Sequence, residues 1–187
     1  MTKQIDDGLD RYWLGQGRKR YGSLSEALPP PRFTVQQRKA DRLLAFLCHA
    51  SEDKLAIRTL RQYLISASVT PWFDEEDIVP GQMWESEINE AIARCHVFLA
   101  CLSAQSVAKS GYVQLEVQKA LERAMKLPPG RIFLIPVRLD ACQIPDVLAR
   151  FQWVDYFADD GAHKVVRALR ELVHYLNQHD MSLVEPG

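Results

Sequence analysis

The stretch His96-Val97-Phe98-Leu99-Ala100-Cys101-Leu102 is almost wholly apolar, with no alternation of polar and apolar positions. A strand of that composition is covered on both faces, as in the parallel sheet of an α/β domain. Working outward, Leu43 to Cys48 predicts a second buried strand ahead of it. Between the two, Leu55, Ile57, Leu60 and Leu64 predict a helix to about Ser66. Ser51 suits its N-cap, and Glu52 and Asp53 suit its positive end. Val69 to Phe73 predicts a short strand whose Pro71 lacks an N–H, which favours the edge of the sheet. A helix bearing Trp84, Ile88, Ala91 and Ile92 then leads into the central strand.

Beyond it come a Ser-rich loop and a helix with Val113, Val117, Ala120, Leu121 and Ala124 at core spacing. Ile132 to Val137 predicts a fourth strand and Phe151 to Asp155 a short fifth. The final helix runs from about Gly161, with Val165, Val166, Leu169, Leu172, Val173 and Leu176 inward. Strands alternating with helices imply βαβ units. The expected architecture is a flavodoxin-like α/β fold with three layers, a five-stranded parallel sheet in the order 2-1-3-4-5. Its topological switch point, where ligands of such sheets bind, falls between strands one and three.

Composition narrows the function. Net charge over the 187 residues is −1, which argues against a domain-wide footprint for nucleic acid. The charge is uneven: residues 1–40 carry +4 and the remainder −5. That arm contains Tyr12, Trp13, the basic run Arg18-Lys19-Arg20 and Pro29-Pro30-Pro31, and it reads as an N-terminal extension with a Pro-rich linker. The expected division is 1–40 for the extension, 41–180 for the domain and 181–187 for a tail. Cys48, Cys95, Cys101 and Cys142 include no CxxC pair, so neither a zinc ribbon nor a redox dithiol is indicated. Reduced, structural thiols are expected, and with them a cytoplasmic setting. No secretory h-region and no apolar run of membrane-spanning length occurs.

The loop after strand one, His49-Ala50-Ser51, contains no glycine, so the dinucleotide fingerprint and the P-loop are both missing. HExxH, zinc-spaced His/Cys clusters and a GxSxG elbow are missing too, so no metal site or serine nucleophile is expected. What remains near the switch point is His49, Ser51, the acidic run Asp74-Glu75-Glu76-Asp77, Ser103, Tyr112 and Glu116. Tyr112 and Glu116 are four apart and share a helical face. A lone carboxylate suits a reaction through an oxocarbenium-like state at a sugar carbon.

Phe46-Leu47-Cys48-His49-Ala50-Ser51-Glu52-Asp53 resembles the opening box of Toll/interleukin-1 receptor (TIR) domains, especially bacterial ones. Trp72 through Trp84 is similar to their second strand and the loop after it. Phe98 to Ser103, Glu116 with Ala120-Leu121, and Ile135 to Asp140 resemble the later boxes, in order, over about residues 42–178. Many TIR domains of bacteria, plants and one animal axon-degeneration protein cleave NAD+ at the nicotinamide–ribose bond. Their glutamate lies in a Trp-x-x-x-Glu pattern, to which Tyr112 and Glu116 correspond here, with Tyr in place of Trp. The resemblance implies Glu116 as catalytic residue and His49, Ala50, Asp74, Gly81, Met83 and Tyr112 bordering the substrate. NAD+ is then a substrate, and no cofactor is needed. The resemblance also implies association with other TIR domains, and a role in bacterial immune signalling or NAD+ depletion. The alternative is an adaptor that binds other TIR or defence proteins without catalysis. Simpler roles compete at single positions: Asp74 as a strand terminator, Gly81 as a turn residue, His49 as a hydrogen-bonded strand end. Trp72, Phe73 and Trp84 are expected in the core.

Overall fold

The computed structural model describes residues 42–73, 77–109 and 115–179. From Leu44 the chain alternates strand and helix. β1 (Leu44–Cys48) leads through a 3-10 turn (Ser51–Asp53) into α1 (Lys54–Ser66) and β2 (Thr70–Trp72). Then follow α2 (Trp84–Arg94), β3 (Val97–Leu102), the single-turn α3 (Ala104–Val107) and α4 (Leu115–Lys126). β4 (Leu134–Arg138), β5 (Val154–Asp155) and α5 (Gly161–Gln178) complete the described chain. The strands form one parallel sheet in the order β2-β1-β3-β4-β5. This is the expected flavodoxin-like topology.

Period-two alternation sorts the core into two layers. Ala45 and Leu47 of β1, with Val97, Leu99 and Cys101 of β3, face α1 and α5. Phe46 and Cys48, with Phe98, Ala100 and Leu102, face α2 and α4. Every residue of β3 is buried, which is why its sequence shows no polar position. On the α2/α4 face, Phe46 stacks on Trp72 at 4.8 Å and on Phe98 at 5.1 Å, a three-ring ladder that follows the strand register.

Pro71 lies in edge strand β2, as its missing N–H requires. Thr70 donates its N–H to Leu43 O, so the neighbouring position faces away from β1 and loses no ladder bond. Three local expectations need correction. The N-cap of α1 is Asp53, not Ser51, and Asp53 makes no capping bond because its carboxylate is engaged elsewhere. Trp84 is 63% exposed, not core; the buried face of α2 is set by Ile88 and Ile92, and one turn earlier the helix has no cover. The fifth strand pairs over two residues only.

All four cysteines are buried thiols. Burial pushes Cys95 and Cys142 up to about 11 and raises Cys101 further. Among the described residues no helix is long and apolar enough to cross a membrane.

At the amino ends of the strands, Leu44 donates its N–H to His96 Nδ1 at 2.9 Å, and His96 returns its own N–H to Leu44 O at 2.9 Å. Burial and the nearby Arg131 and Arg123 push the His96 ring down to about 4 from 6.5. Protonation of Nδ1 would set donor against donor at Leu44. The unfolded chain therefore binds the extra proton first. Stability contributed by neutral His96 is complete above pH 6.5 and is lost as pH falls towards about 4. The loss is on the order of 2 kcal/mol after discounting for partial solvation of the ring. In His96→Gln, whose amide oxygen can accept from Leu44 without titrating, urea midpoints between pH 7 and 4.5 are expected to fall less steeply than in the parent.

Candidate functional site

In a parallel sheet with helical crossovers, each helix begins where its strand ends. The carboxyl ends of β1 and β3 therefore meet the first turns of the helices that follow. β1 runs out through His49 and Ala50 into the 3-10 turn, where Asp53 N–H bonds Ala50 O at 2.9 Å. β3 runs out into Ser103, which caps α3: Ser103 Oγ accepts the Ser106 N–H at 3.0 Å, and Ser103 N–H donates to Ser106 Oγ at 2.8 Å. Both serines are buried. The Ser103 hydroxyl donates to Asp53 Oδ2 at 3.0 Å, and Asp140 Oδ1 accepts the Ala104 N–H at 2.8 Å. These two side-chain bonds tie the loops after β1, β3 and β4 across the switch point. Lys109 adds an ion pair to Glu52 on the outer side.

Burial raises the Asp53 carboxyl above its ordinary value, against the lowering effect of the Ser103 hydrogen bond, and the neighbouring Asp140 raises it further. Ser103→Ala removes the cap and the tie together and leaves Asp53 half-buried without its donor. A loss of about 1–2 kcal/mol is expected, read as a lower urea midpoint at unchanged slope.

Those of the anticipated residues that the structure describes fall into three groups. His49 and Ala50 are at the switch point. The His49 ring lies 5.0 Å from that of buried Phe73, and Ala50 is buried. Glu116 stands in the first turn of α4, half-buried, one residue before Val117, which packs into the α2/α4 face of the core. Gly81 and Met83 lie on the exposed segment after β2. Asp74 and Tyr112 lie outside the described residues, as does Val113.

That segment is locally built. Asp77 Oδ2 accepts the Phe73 N–H at 2.6 Å while Asp77 N–H bonds Phe73 O at 3.0 Å, so Asp77 is tied back to the residue that follows β2. Gln82 N–H reaches Val79 O at 3.0 Å around Pro80-Gly81, and Gly81 has φ +99°. Pro followed by a positive-φ residue is a type II turn, for which glycine is required at the third position. A Cβ at Gly81 would touch nothing, so the constraint there is backbone conformation alone. Val79, Met83 and Trp84 are all exposed on this stretch.

The Asp53–Ser103 pair and the Asp140 contact escaped the sequence reading, since their partners lie 50 and 36 residues apart. Only Ser103-x-x-Ser106 carried a local signal, a cap spacing. Among the described residues no group of three or more His, Cys, Asp or Glu is placed to hold a metal ion.

Solved structures share this fold. The TIR domain of the Toll-related receptor TRR-2 from Hydra magnipapillata superposes with a TM-score of 0.53 at 21% identity, covering 67% of this chain and 97% of that one. A TIR-STING receptor from C. gigas, in complex with 2',3'-cGAMP, gives 0.56 at 21% identity, covering 71% of this chain and 41% of that one. A second structure of a C. gigas TIR-STING receptor gives 0.55 at 19% identity, covering 71% and 42%. The chain thus spans about two-fifths of those receptor chains, and at such identities the likeness concerns the fold alone. No curated protein matches. The sequence profile of the TIR domain matches residues 45–173, well over half the chain, and the protein belongs to the TIR family.

Proposed function

We propose that this TIR domain is an NAD+-consuming enzyme that releases nicotinamide together with ADP-ribose or a cyclic isomer of it. The observation that carries this reading is Glu116, a half-buried carboxylate in the first turn of α4. It stands on the second helix after β3, in the crossover from β3 to β4, and ligands of such folds bind outside the carboxyl ends of the strands. In the proposed reaction Glu116 holds the ribose hydroxyls and stabilises positive charge at the sugar carbon as the nicotinamide bond breaks. Nicotinamide leaves with the bonding electrons, and water or a group of the same nucleotide supplies the new bond. His49, Ala50, Asp74, Gly81, Met83 and Tyr112 are the proposed substrate contacts, with no metal or further cofactor. The proposed setting is cytoplasmic, in bacterial immune signalling or NAD+ depletion.

A second reading has its own support. Val79, Met83 and Trp84 are 61%, 77% and 63% exposed on one segment, an apolar surface that suits docking to another TIR domain. An adaptor would use this surface without turnover. The two readings are compatible where association supports catalysis.

The test is incubation of the purified protein with NAD+ over a range of protein concentrations, with nicotinamide followed by chromatography. Release that rises more than linearly with protein concentration supports an enzyme active in assemblies. No release at any concentration leaves the adaptor.

A further inference from the structure

The exposed segment after β2 is charged as well as apolar. From Gln62 to Ala93 the sequence holds seven carboxylates and no Lys, Arg or His, so that stretch carries −7 in a chain whose net charge is −1. Glu90 is paired with Arg94. Asp77 Oδ2 accepts the Phe73 N–H, which holds the carboxylate without neutralising it. Glu85 and Glu87 stand in the first turn of α2, where the helix dipole supplies only about half a positive charge. Among the described residues no ion pair reaches Asp77, Glu85 or Glu87. Val79, Met83 and Trp84 lie exposed between these acids. An apolar patch flanked by unbalanced acids fits a partner that is both cationic and apolar.

The same chain contains a segment of that chemistry. Residues 11–24 hold Arg11, Arg18, Lys19 and Arg20 and no acid, together with Tyr12, Trp13, Leu14, Tyr21 and Leu24. Two copies of the acidic segment set face to face would repel instead. The position of the arm's root favours the contact. Leu43 O accepts the Thr70 N–H at 2.8 Å, so the chain enters β1 beside the edge strand β2. The strands run parallel with Phe46 opposite Trp72, which puts the end of β2 at Phe73 about five residues along, roughly 16 Å from Arg42. Asp77 is tied to that end. Arg20 and Arg42 are 22 residues apart, and a relaxed chain of that length reaches about 25 Å. Tethering at such range gives an effective concentration on the order of 1 mM, so even a weak contact forms within one chain.

We propose that residues 11–24 lie over segment 77–87 of their own chain, with Tyr12 and Trp13 on Val79, Met83 and Trp84, and Arg18-Lys19-Arg20 against the acids. The surface offered to another TIR domain is then covered until the arm leaves. That consequence rests on the docking reading above. The contact itself rests neither on docking nor on the NAD+ reaction.

The test reads the contact in the full chain. Trypsin cuts after Arg18, Lys19 and Arg20 at a rate that tracks the released fraction of the arm. Cleavage there, timed by mass spectrometry, is expected to quicken about tenfold in Met83→Ser/Trp84→Ser, two exposed positions where the fold is not at stake. In Glu85→Gln/Glu87→Gln it is expected to quicken about threefold. Zero-length carbodiimide coupling is expected to join Lys19 to a carboxylate of residues 74–87 within one chain, as mixing of isotope-labelled and unlabelled protein distinguishes. Cleavage as fast in the parent as in both variants overturns the proposal. Coupling of Lys19 only to other carboxylates overturns it too, and so does coupling only between chains, which assigns the arm to a second copy. Cleavage and coupling read the contact alone, so their outcome is the same whether or not the domain docks or turns over NAD+. Covering is read by sedimentation: Arg18→Glu/Lys19→Glu/Arg20→Glu is expected to self-associate at about tenfold lower concentration than the parent. Association no stronger than the parent's overturns the covering role.

Discussion

Glu116→Gln is expected to lower nicotinamide release from NAD+ by about 10²–10³-fold, the range for loss of one preorganised charge-stabilising group. The substitution keeps size and hydrogen-bonding reach and removes only the negative charge. If that charge opposes the positive charge that develops at the ribose carbon, the loss belongs to kcat, with KM little changed. The fold is expected to survive. Glu116 is half-buried in the first turn of α4, where a carboxylate contributes about 0.3–1 kcal/mol through the helix dipole. The check is a time course of nicotinamide by chromatography beside a thermal melt of both proteins. Full turnover in the variant would remove Glu116 from the chemistry. An unchanged ability to associate with other TIR domains, in the absence of any turnover by the parent, would favour the adaptor.

Gly161→Ala is expected to destabilise the domain by about 3 kcal/mol or more, by the overpacking mechanism. Gly161 opens α5 and is buried where the helix meets the turn after β5. A Cβ there would stand 2.6 Å from Tyr156 Cα and closer still to the carbonyl oxygens of Asp155 and Tyr156. These are backbone atoms, so no side chain can swing aside. Relief requires α5 to move off the turn, and with it Val165, Leu169, Leu172 and Leu176, which fill the α1/α5 layer. For a domain of this size the melting temperature is expected to drop by roughly 6–12 °C. Gly130→Ala is the natural comparison. At Gly130 φ is +86°, and a Cβ would meet only Tyr175 Cε2, at 3.8 Å. That substitution carries conformational strain without a clash, and about 1 kcal/mol is expected.

The strand order was legible because it rests on two features that sequence displays directly. One is the unbroken apolar run of β3, which only a doubly covered strand tolerates. The other is Pro71, which places β2 at an edge. Pro136 carried the same kind of information, a missing N–H on one side of a strand. Its meaning depends on which side faces β5, and that is set by pairing with β3, so the two-residue length of β5 was not visible. Trp84 misled because a helical spacing identifies a face without saying how far along the helix that face is covered. The site divides in the same way. Ser103-x-x-Ser106 is a local pattern, whereas the Asp53–Ser103 bond joins residues 50 apart. Such a bond exists only once β1 and β3 are side by side.

The four thiols have a consequence for how fluctuations of this molecule register chemically. A thiol reacts as its thiolate, so burial that suppresses ionisation makes labelling wait for an opening event. Cys101 sits near the carboxyl end of the central strand with no exposed surface, and it becomes accessible when the α1/α5 layer lifts from the sheet. Cys95 closes α2, and Cys142 lies in the connection after β4, where peeling of one element suffices. A single alkylating reagent applied to the native protein therefore samples a ladder of breathing motions, from the release of one segment to the lifting of a whole helical layer, with each sulfur timing its own rung.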